Sequence, residues 1–349
     1  DHERAAHLLG LALQEVLRNR RHRLVDEGPY EVNRLEPLGL QLDIAGHAQT
    51  LVERLRDIGL VRVRVVVLRE ALAAIVSDFG IKTIGYEDRR LTCADLEAVK
   101  KSVDGMGVEF CPVGGMFTDI RAVKTPDEIE NIVAAQKIAE GAFDHICKTI
   151  NYDMTEIEVA AELEYYMKKN GSQKPSFDTI CVSGTASSRP HGVPRPVKLE
   201  KGFLTMDYGA MVNGYHSDMT RTVVIGKADA DMTKLYNTVL AAQKAAMEIV
   251  APGVKNFDVD KAARDIIYGA GYEGKFGHGL GHGVGLEIHE TPTVNMRAGD
   301  RVLAVGEVIT DEPGIYLEGK YGCRIEDMIL VTENGYRNLT NCPKEMIEL

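Results

Sequence analysis

After Thr125, apolar residues recur at the three- and four-residue intervals of an amphipathic helix, with Ile129, Val133, Phe143, Ile146 and Ile150 approximating one face. Pro126 suits a first helical turn, and Thr125 followed three residues later by Glu128 is a capping box, so a long helix is predicted from about Pro126. A second helix begins after Thr155, capped in the same way with Glu158, and stops at Gly171. The period then shortens. "FDTICVSG" and "FLTMDYGAMVNGYHSDMTRTVVIG" read as strands, the longer segment as two strands folded at Asn213-Gly214, a strong hairpin dipeptide. Helical spacing returns over residues 231–250 and 259–268, and β-rich stretches at 308–317 and 323–331 close the chain. Helices and strands come in runs, which is an α+β order.

Residues 1–122 differ in pattern. Helix-like stretches (5–17, 48–58) alternate there with short β-branched runs (61–68, 81–85), as in a small α/β domain. A chain of 349 residues is long enough for two domains, and the capped helix at Pro126 puts the second at 123–349. With 44% hydrophobic and 27% charged residues, and no apolar run near the roughly 18 residues of a membrane span, a soluble globular protein is expected. The net charge of −11 disfavours nonspecific nucleic-acid binding, and the basic cluster Arg18–Arg23 reads as a solvated helix face. Six dispersed cysteines without a C-x-x-C pair suggest reduced packing residues. The chain opens at Asp1 with a mixed-charge stretch that has no apolar signal core, so a trimmed cytoplasmic protein is expected.

The candidate chemistry lies in the second half. Asp207 and Asp218 flank Asn213-Gly214, so a hairpin can bring both carboxylates to one point, and a divalent ion lets both ionise there. "HGLGHGVGLEIHE" sets His278, His282 and His289 among glycines that permit close backbone approach; His278 alone reads as a core histidine. Glu312 follows in "VITDEPGIYL" and Glu326 in "GCRIEDMILVT". Period-two alternation puts Arg324 and Glu326 on one strand face, where the arginine can orient a ligand carboxylate, and turns Asp311 away from Glu312. Asp207, Asp218, His282, Glu312 and Glu326 offer four carboxylates, one imidazole and no thiolate, a set suited to Mn²⁺, Co²⁺ or Zn²⁺ at a hydrolytic centre.

"SRPHGVP", "MDYGAMVNGYHSDMTRT", "HGLGHGVGLEIHE", "DEPGIYL" and "RIED", in this order, resemble the M24 metallopeptidases, and among them the Xaa-Pro aminopeptidase and prolidase branch. The resemblance covers about residues 115–349. It implies a pita-bread catalytic domain, preceded by a smaller ribonuclease-H-like or creatinase-type domain that "GIKTIGYEDRRLT" resembles in its later part. The first ~65 residues lack that domain's expected early strand and its "N-x-x-Y-L-T-G-F"-like segment. By the resemblance Asp207 chelates one ion, Asp218 and Glu326 bridge two, and His282 and Glu312 complete the coordination of the second ion. His191 and His289 match catalytic histidines that are not ligands, Glu312 a proton shuttle, and His278 and Arg324 pocket residues that meet substrate. A homodimer is also implied.

The implied reaction is removal of the residue before a penultimate proline, with a metal-bridging hydroxide as nucleophile, two Mn²⁺ ions as cofactors and proline-containing peptides as substrates. A prolidase acts only on Xaa-Pro dipeptides, and prolidases often carry an arginine shortly after the last histidine of the motif. Thr293 stands there in "HETPTVNMR", with Arg297 four residues on, which favours longer peptides. A methionine aminopeptidase fits less well with the added N-terminal domain and with "RIED". Loss of catalysis, or the metal-free chemistry of creatinase-like relatives, fits poorly with five filled ligand positions.

Overall fold

The computed structural model describes residues 65–349, and the chain divides into two compact units, Asp1–Gly114 and Gly115–Leu349. The helices expected at 5–17 and 48–58, the basic cluster at 18–23 and the atypical first ~65 residues lie outside the described residues. The apolar run 61–68 was expected as a strand, but its described part is the start of helix α1 (Val65–Phe79). A run of three valines and a leucine does not separate strand from helix by period alone. Here Arg69-Glu70-Ala71-Leu72-Ala73-Ala74 follows it directly, and these strong helix formers carry the segment. After α1 come β1 (Thr83–Tyr86), α2 (Cys93–Ser102) and β2 (Glu109–Pro112). β1 and β2 pair in parallel, with Thr83 opposite Glu109, which requires a crossover such as α2 supplies. Thr92 caps α2 by accepting from the Asp95 amide at 3.1 Å.

In the second unit, α3 (Gly114–Ala122) begins at the boundary and α4 (Pro126–Thr149) follows with the expected cap, in which the Glu128 carboxylate accepts from the Thr125 amide at 2.7 Å. Its buried face runs through Ile132, Ala135, Ala139, Ala142, Phe143 and Ile146, while Val133 is only partly buried. The stripe is thus carried largely by alanines that a search for large apolar residues passes over. α5 (Glu156–Lys169) has the predicted Thr155–Glu158 box.

Two larger sheets, two two-stranded pairs and a second helix pair build the rest. β3 (Ile180–Ser183), β4 (Gly202–Tyr208) and β7 (Met219–Ile225) form an antiparallel sheet in the order β3-β4-β7. The short strands β5 (Met211–Val212) and β6 (Tyr215–His216) extend the β4–β7 hairpin to its tip. Asn213 and Gly214 turn it at φ 50° and 81°, a left-handed pair that Asn and Gly tolerate. α6 (Ala230–Glu248) and α7 (Asn256–Gly269) lead to β8 (Gly281–Gly283), β9 (Glu290–Val294), β10 (Val308–Asp311), β11 (Gly314–Leu317), β12 (Tyr321–Arg324), β13 (Asp327–Thr332) and β14 (Gly335–Asn338). Five of these make a second sheet in the order β14-β13-β10-β8-β9, and β11 pairs with β12.

Each sheet has its own apolar cluster. α4 and α5 bury Phe143, Ile146 and Leu163 with Leu204, Met206, Met219 and Val223 of the first sheet. α6 and α7 bury Leu235, Val239, Val259 and Ile267 with Ile309, Ile329 and Val331 of the second. All six cysteines are free thiols, and among the described residues no helix is long and apolar enough to cross a membrane.

Candidate metal centre

The register of β4 on β7 sets Asp207 opposite Thr220, and residues directly opposite in an antiparallel pair project to one face. Asp218 precedes Thr220 by two residues, so the alternation returns it to that face. The other face carries Leu204, Met206, Tyr208, Met219 and Val223 into the helix-covered core. The hairpin therefore has an apolar side and a polar side, and both aspartates lie on the polar one.

His282 arrives from the second sheet. β8 is squeezed between β10 and β9: a Cβ on Gly281 would lie 2.0 Å from the Thr310 carbonyl oxygen, and one on Gly283 2.3 Å from that of Thr291. These glycines are the condition for His282 to reach the centre. Glu312, just past β10, has its amide bonded to the Leu280 carbonyl at 2.9 Å and its Oε1 bonded by the Thr310 hydroxyl at 3.2 Å. Glu326 sits in the break between β12 and β13; its amide donates to the Thr220 carbonyl at 3.1 Å, and its Oε2 accepts from the Thr220 hydroxyl at 2.6 Å.

The result is a buried ring of acids. One atom each of Asp218, His282 and Glu326 lie within 4.8 Å of one another. His282 Nε2 is 3.5 Å from Asp218 Oδ2 and 3.3 Å from Glu312 Oε1. Asp207 Oδ2 is ion-paired with Arg324 at 2.5 Å, and its Oδ1 is buried without a hydrogen-bond partner. Arg324 is itself buried. Its Nε donates to the Thr220 hydroxyl at 3.0 Å, and its other terminal nitrogen to the Pro190 carbonyl and the Tyr316 hydroxyl at 3.1 and 2.8 Å. The guanidinium thus holds Asp207 in place.

The histidines take three environments. His278 is enclosed, with Nδ1 donating to the Gly279 carbonyl at 2.8 Å and Nε2 accepting from Tyr316 at 3.0 Å; burial, with Arg324 nearby, lowers its pKa to about 3. His289 stands edge-on to His282, ring centroids 4.3 Å apart, and burial lowers its pKa as well. His191 is exposed, directly after Pro190, whose carbonyl Arg324 holds.

The electrostatics of the ring decide what it is for. Burial, then repulsion from Asp207 and Glu312, pushes the Asp218 pKa far up; burial, then Asp218, Glu312 and Asp207, does the same to Glu326. Burial lifts Glu312 to about 8 even with Arg324 opposing. Burial also lowers His282 to about 4, so its ring is neutral. A carbonyl only accepts, so the Nδ1 contact to the Gly283 oxygen at 3.1 Å places the proton on Nδ1. The Nε2 lone pair then faces the carboxyl oxygens of Asp218 and Glu312, acids crowded so closely that without a cation they hold their protons to neutral pH. A divalent cation resolves this, and it also gives the orphaned Asp207 Oδ1 a partner. The residues present fit a metal.

Comparison with known proteins agrees with the chemistry. Residues 130–333 match metallopeptidase family M24. The chain belongs to that family. An Xaa-Pro dipeptidase of Pyrococcus furiosus is 45% identical over 240 residues, 68% of this chain and 69% of that protein. Among solved structures, an Xaa-Pro dipeptidase from Bacillus anthracis is 41% identical with a TM-score of 0.78, covering 80% of this chain and 78% of the other. An X-Pro aminopeptidase from Thermotoga maritima is 38% identical with a TM-score of 0.77, covering 81% and 80%. This M24 chain is a metallopeptidase of pita-bread fold.

Within the M24 site, three supporting residues escaped the sequence reading: Thr220 bonds both Glu326 and Arg324, Thr310 bonds the His282 amide and Glu312, and Tyr316 joins His278 to Arg324. The only signal for the threonines was their position in alternation with Asp218 and Glu312. Of the two arginine positions weighed, Thr293 is exposed on β9, and Arg297 is exposed in the turn after it.

Proposed function

We propose that this metallopeptidase hydrolyses the bond between the first residue and a penultimate proline at peptide N-termini, acting as an aminopeptidase. The observation that carries the hydrolytic reading is the neutral His282 lone pair facing Asp218 and Glu312 in a buried ring of acids. Proline selectivity rests on the similarity to an Xaa-Pro dipeptidase and an X-Pro aminopeptidase.

Asp207, Asp218, His282, Glu312 and Glu326 would hold two divalent ions, Mn²⁺ by preference, which supply Lewis acidity and a water acidified toward neutral pH. Glu312, bonded by Thr310 and next to His282, takes up a proton at its carboxylate and returns it to the proline nitrogen as the C–N bond breaks. His289, kept neutral near pH 7 by its lowered pKa, donates an N–H to the carbonyl oxygen as negative charge develops on it. His191 does so from the exposed side. Arg324 holds Asp207 in position through its ion pair.

A dipeptidase is the second reading, favoured by the 45% identical Xaa-Pro dipeptidase; Thr293, where prolidases often carry an arginine, favours the first. After reconstitution with Mn²⁺, Co²⁺ or Zn²⁺, release of alanine from Ala-Pro-Ala is expected and Met-Ala-Ala is expected to be spared. Cleavage of Ala-Pro alone would establish the dipeptidase, and cleavage of Met-Ala-Ala in preference to both would overturn the proline reading.

A further inference from the structure

An open groove of about 530 Å³ lies between the 3-10 turn Gly184–Ser188, with the residues that follow it, and the turn joining β11 to β12. Tyr316 and Pro190 line it, and each also accepts a hydrogen bond from Arg324, the partner of Asp207. The groove therefore shares a wall with the acid ring, and exposed His191 follows Pro190 at its edge.

Its three charged groups are not equivalent. Arg195 is committed: its Nε and a terminal nitrogen bind the buried Glu156 carboxylate at 2.9 and 2.6 Å, and it also pairs with Glu200 at 3.1 Å. Arg189 is exposed and makes no ion pair or side-chain hydrogen bond among the described residues; only its main chain is used, the amide donating to the Ala186 carbonyl at 3.0 Å and the carbonyl accepting from the Gly192 amide at 3.2 Å. Glu318, on the facing wall, forms no ion pair with either arginine. An uncommitted guanidinium beside a peptidase centre presents a planar pair of donors matched to a carboxylate.

Resting on the Xaa-Pro reading, we infer that Arg189 is a specificity-determining residue that binds a carboxylate on the leaving portion of the peptide. Thr293 supplies no cation where prolidases often carry one, and Arg189 offers one at the groove. The carboxylate is either the C-terminus of a short peptide or an acidic side chain after the proline.

The test compares Ala-Pro-Ala, Ala-Pro-Ala-amide and Ala-Pro-Asp-amide with the metal-loaded wild type, Arg189→Gln and Arg189→Lys. The wild type is expected to show a KM about tenfold lower for the free acid than for the amide, with similar kcat. That ratio should shrink as ionic strength rises, should fall to about one in Arg189→Gln, and should be partly restored in Arg189→Lys. Recovery of the low KM by Ala-Pro-Asp-amide would assign the carboxylate to a side chain, and no recovery to the C-terminus; both support a carboxylate at Arg189. An acid-to-amide ratio that Arg189→Gln leaves unchanged, or a wild type without any preference, overturns the inference. If no proline peptide is cleaved, the functional reading falls separately. Calorimetric binding of the same peptides then decides the role of Arg189 by the same ratio.

Discussion

Glu326 and Asp327 are neighbours in sequence, both buried, and their surroundings are opposites. Glu326 faces three other acids that share Arg324 as their closest cation, and burial with mutual repulsion pushes its pKa far up. For Asp327, burial would act in the same direction, but Arg221 and Lys344 outweigh it and hold the pKa below the usual range. Its oxygens accept from Arg221 at 2.8 Å, Lys344 at 2.7 Å, Gln243 at 3.0 Å and Asn338 at 2.8 Å. Arg221 is in turn satisfied by the carbonyls of Thr220, Glu326, Cys342 and Pro343. One acid is completed by cations of the fold, whereas the other is surrounded mainly by acids. Burial is common to both, so the counter-charge within the fold is what separates their pKa values.

The largest effect that tests this contrast is on catalysis. Glu326→Gln is expected to remove metal, measured by elemental analysis of the purified protein, and to lower turnover roughly a thousandfold or more, with a cooperative unfolding transition retained. Full activity with normal metal content would end the assignment. Asp327→Ala should do the reverse. It strands Arg221 and Lys344, and stability measured by denaturant unfolding should drop by about 3–5 kcal/mol while the folded fraction keeps far more of its metal. If the two variants lose metal and stability in parallel, the two acids are not distinct in role.

How much of this was legible beforehand follows the same division. The ligand-type residues stood out because acids and histidines are chemically conspicuous and sit beside turn or glycine signals, such as Asn213-Gly214 and the glycines around His282. Alternation placed Arg324 and Glu326 together even though the strand is interrupted between β12 and β13, since both side chains reach the acid ring and Asp327 faces away. Thr220, by contrast, acts on partners 104 and 106 residues away, Arg324 and Glu326, through the approach of two sheets. No local spacing encodes such a contact. The helix at Val65–Phe79 was misread for a related reason: a short β-branched run carries no period of its own, and the residues after it decided the outcome.

Removing the metal sharpens the comparison through pH. In the metal-free protein, Asp218, Glu312 and Glu326 have folded-state pKa values raised above their unfolded ones, Glu312 to about 8. The folded state then binds more protons than the unfolded state above about pH 4.5, so stability falls as pH rises from 5 toward 8. Asp327 has the opposite sign: its lowered pKa contributes stability above its unfolded value that is lost as pH falls through its folded one. Thermal unfolding of chelated protein is expected to show the decline between pH 5 and 8, and metal-loaded protein to lack it because its carboxylates are already ionised. Equal slopes for the two forms would mean that the acid ring does not carry the charge imbalance.

The smallest effect concerns the one hydroxyl that serves both sides of the metal-facing cluster. Thr220 donates to Glu326 Oε2 at 2.6 Å and accepts from Arg324 Nε at 3.0 Å, so it sets the carboxylate and the arginine at once without being a ligand. Thr220→Val keeps the shape and removes the hydroxyl. Metal affinity, measured by competition with a chelator of known strength, is expected to fall about ten- to a hundredfold, with kcat at saturating metal changed less than the affinity. Thr220→Ser, which restores the hydroxyl, should recover most of that loss. If serine does not rescue affinity, the effect of valine comes from packing, and the acid ring is held by the fold rather than by this bond.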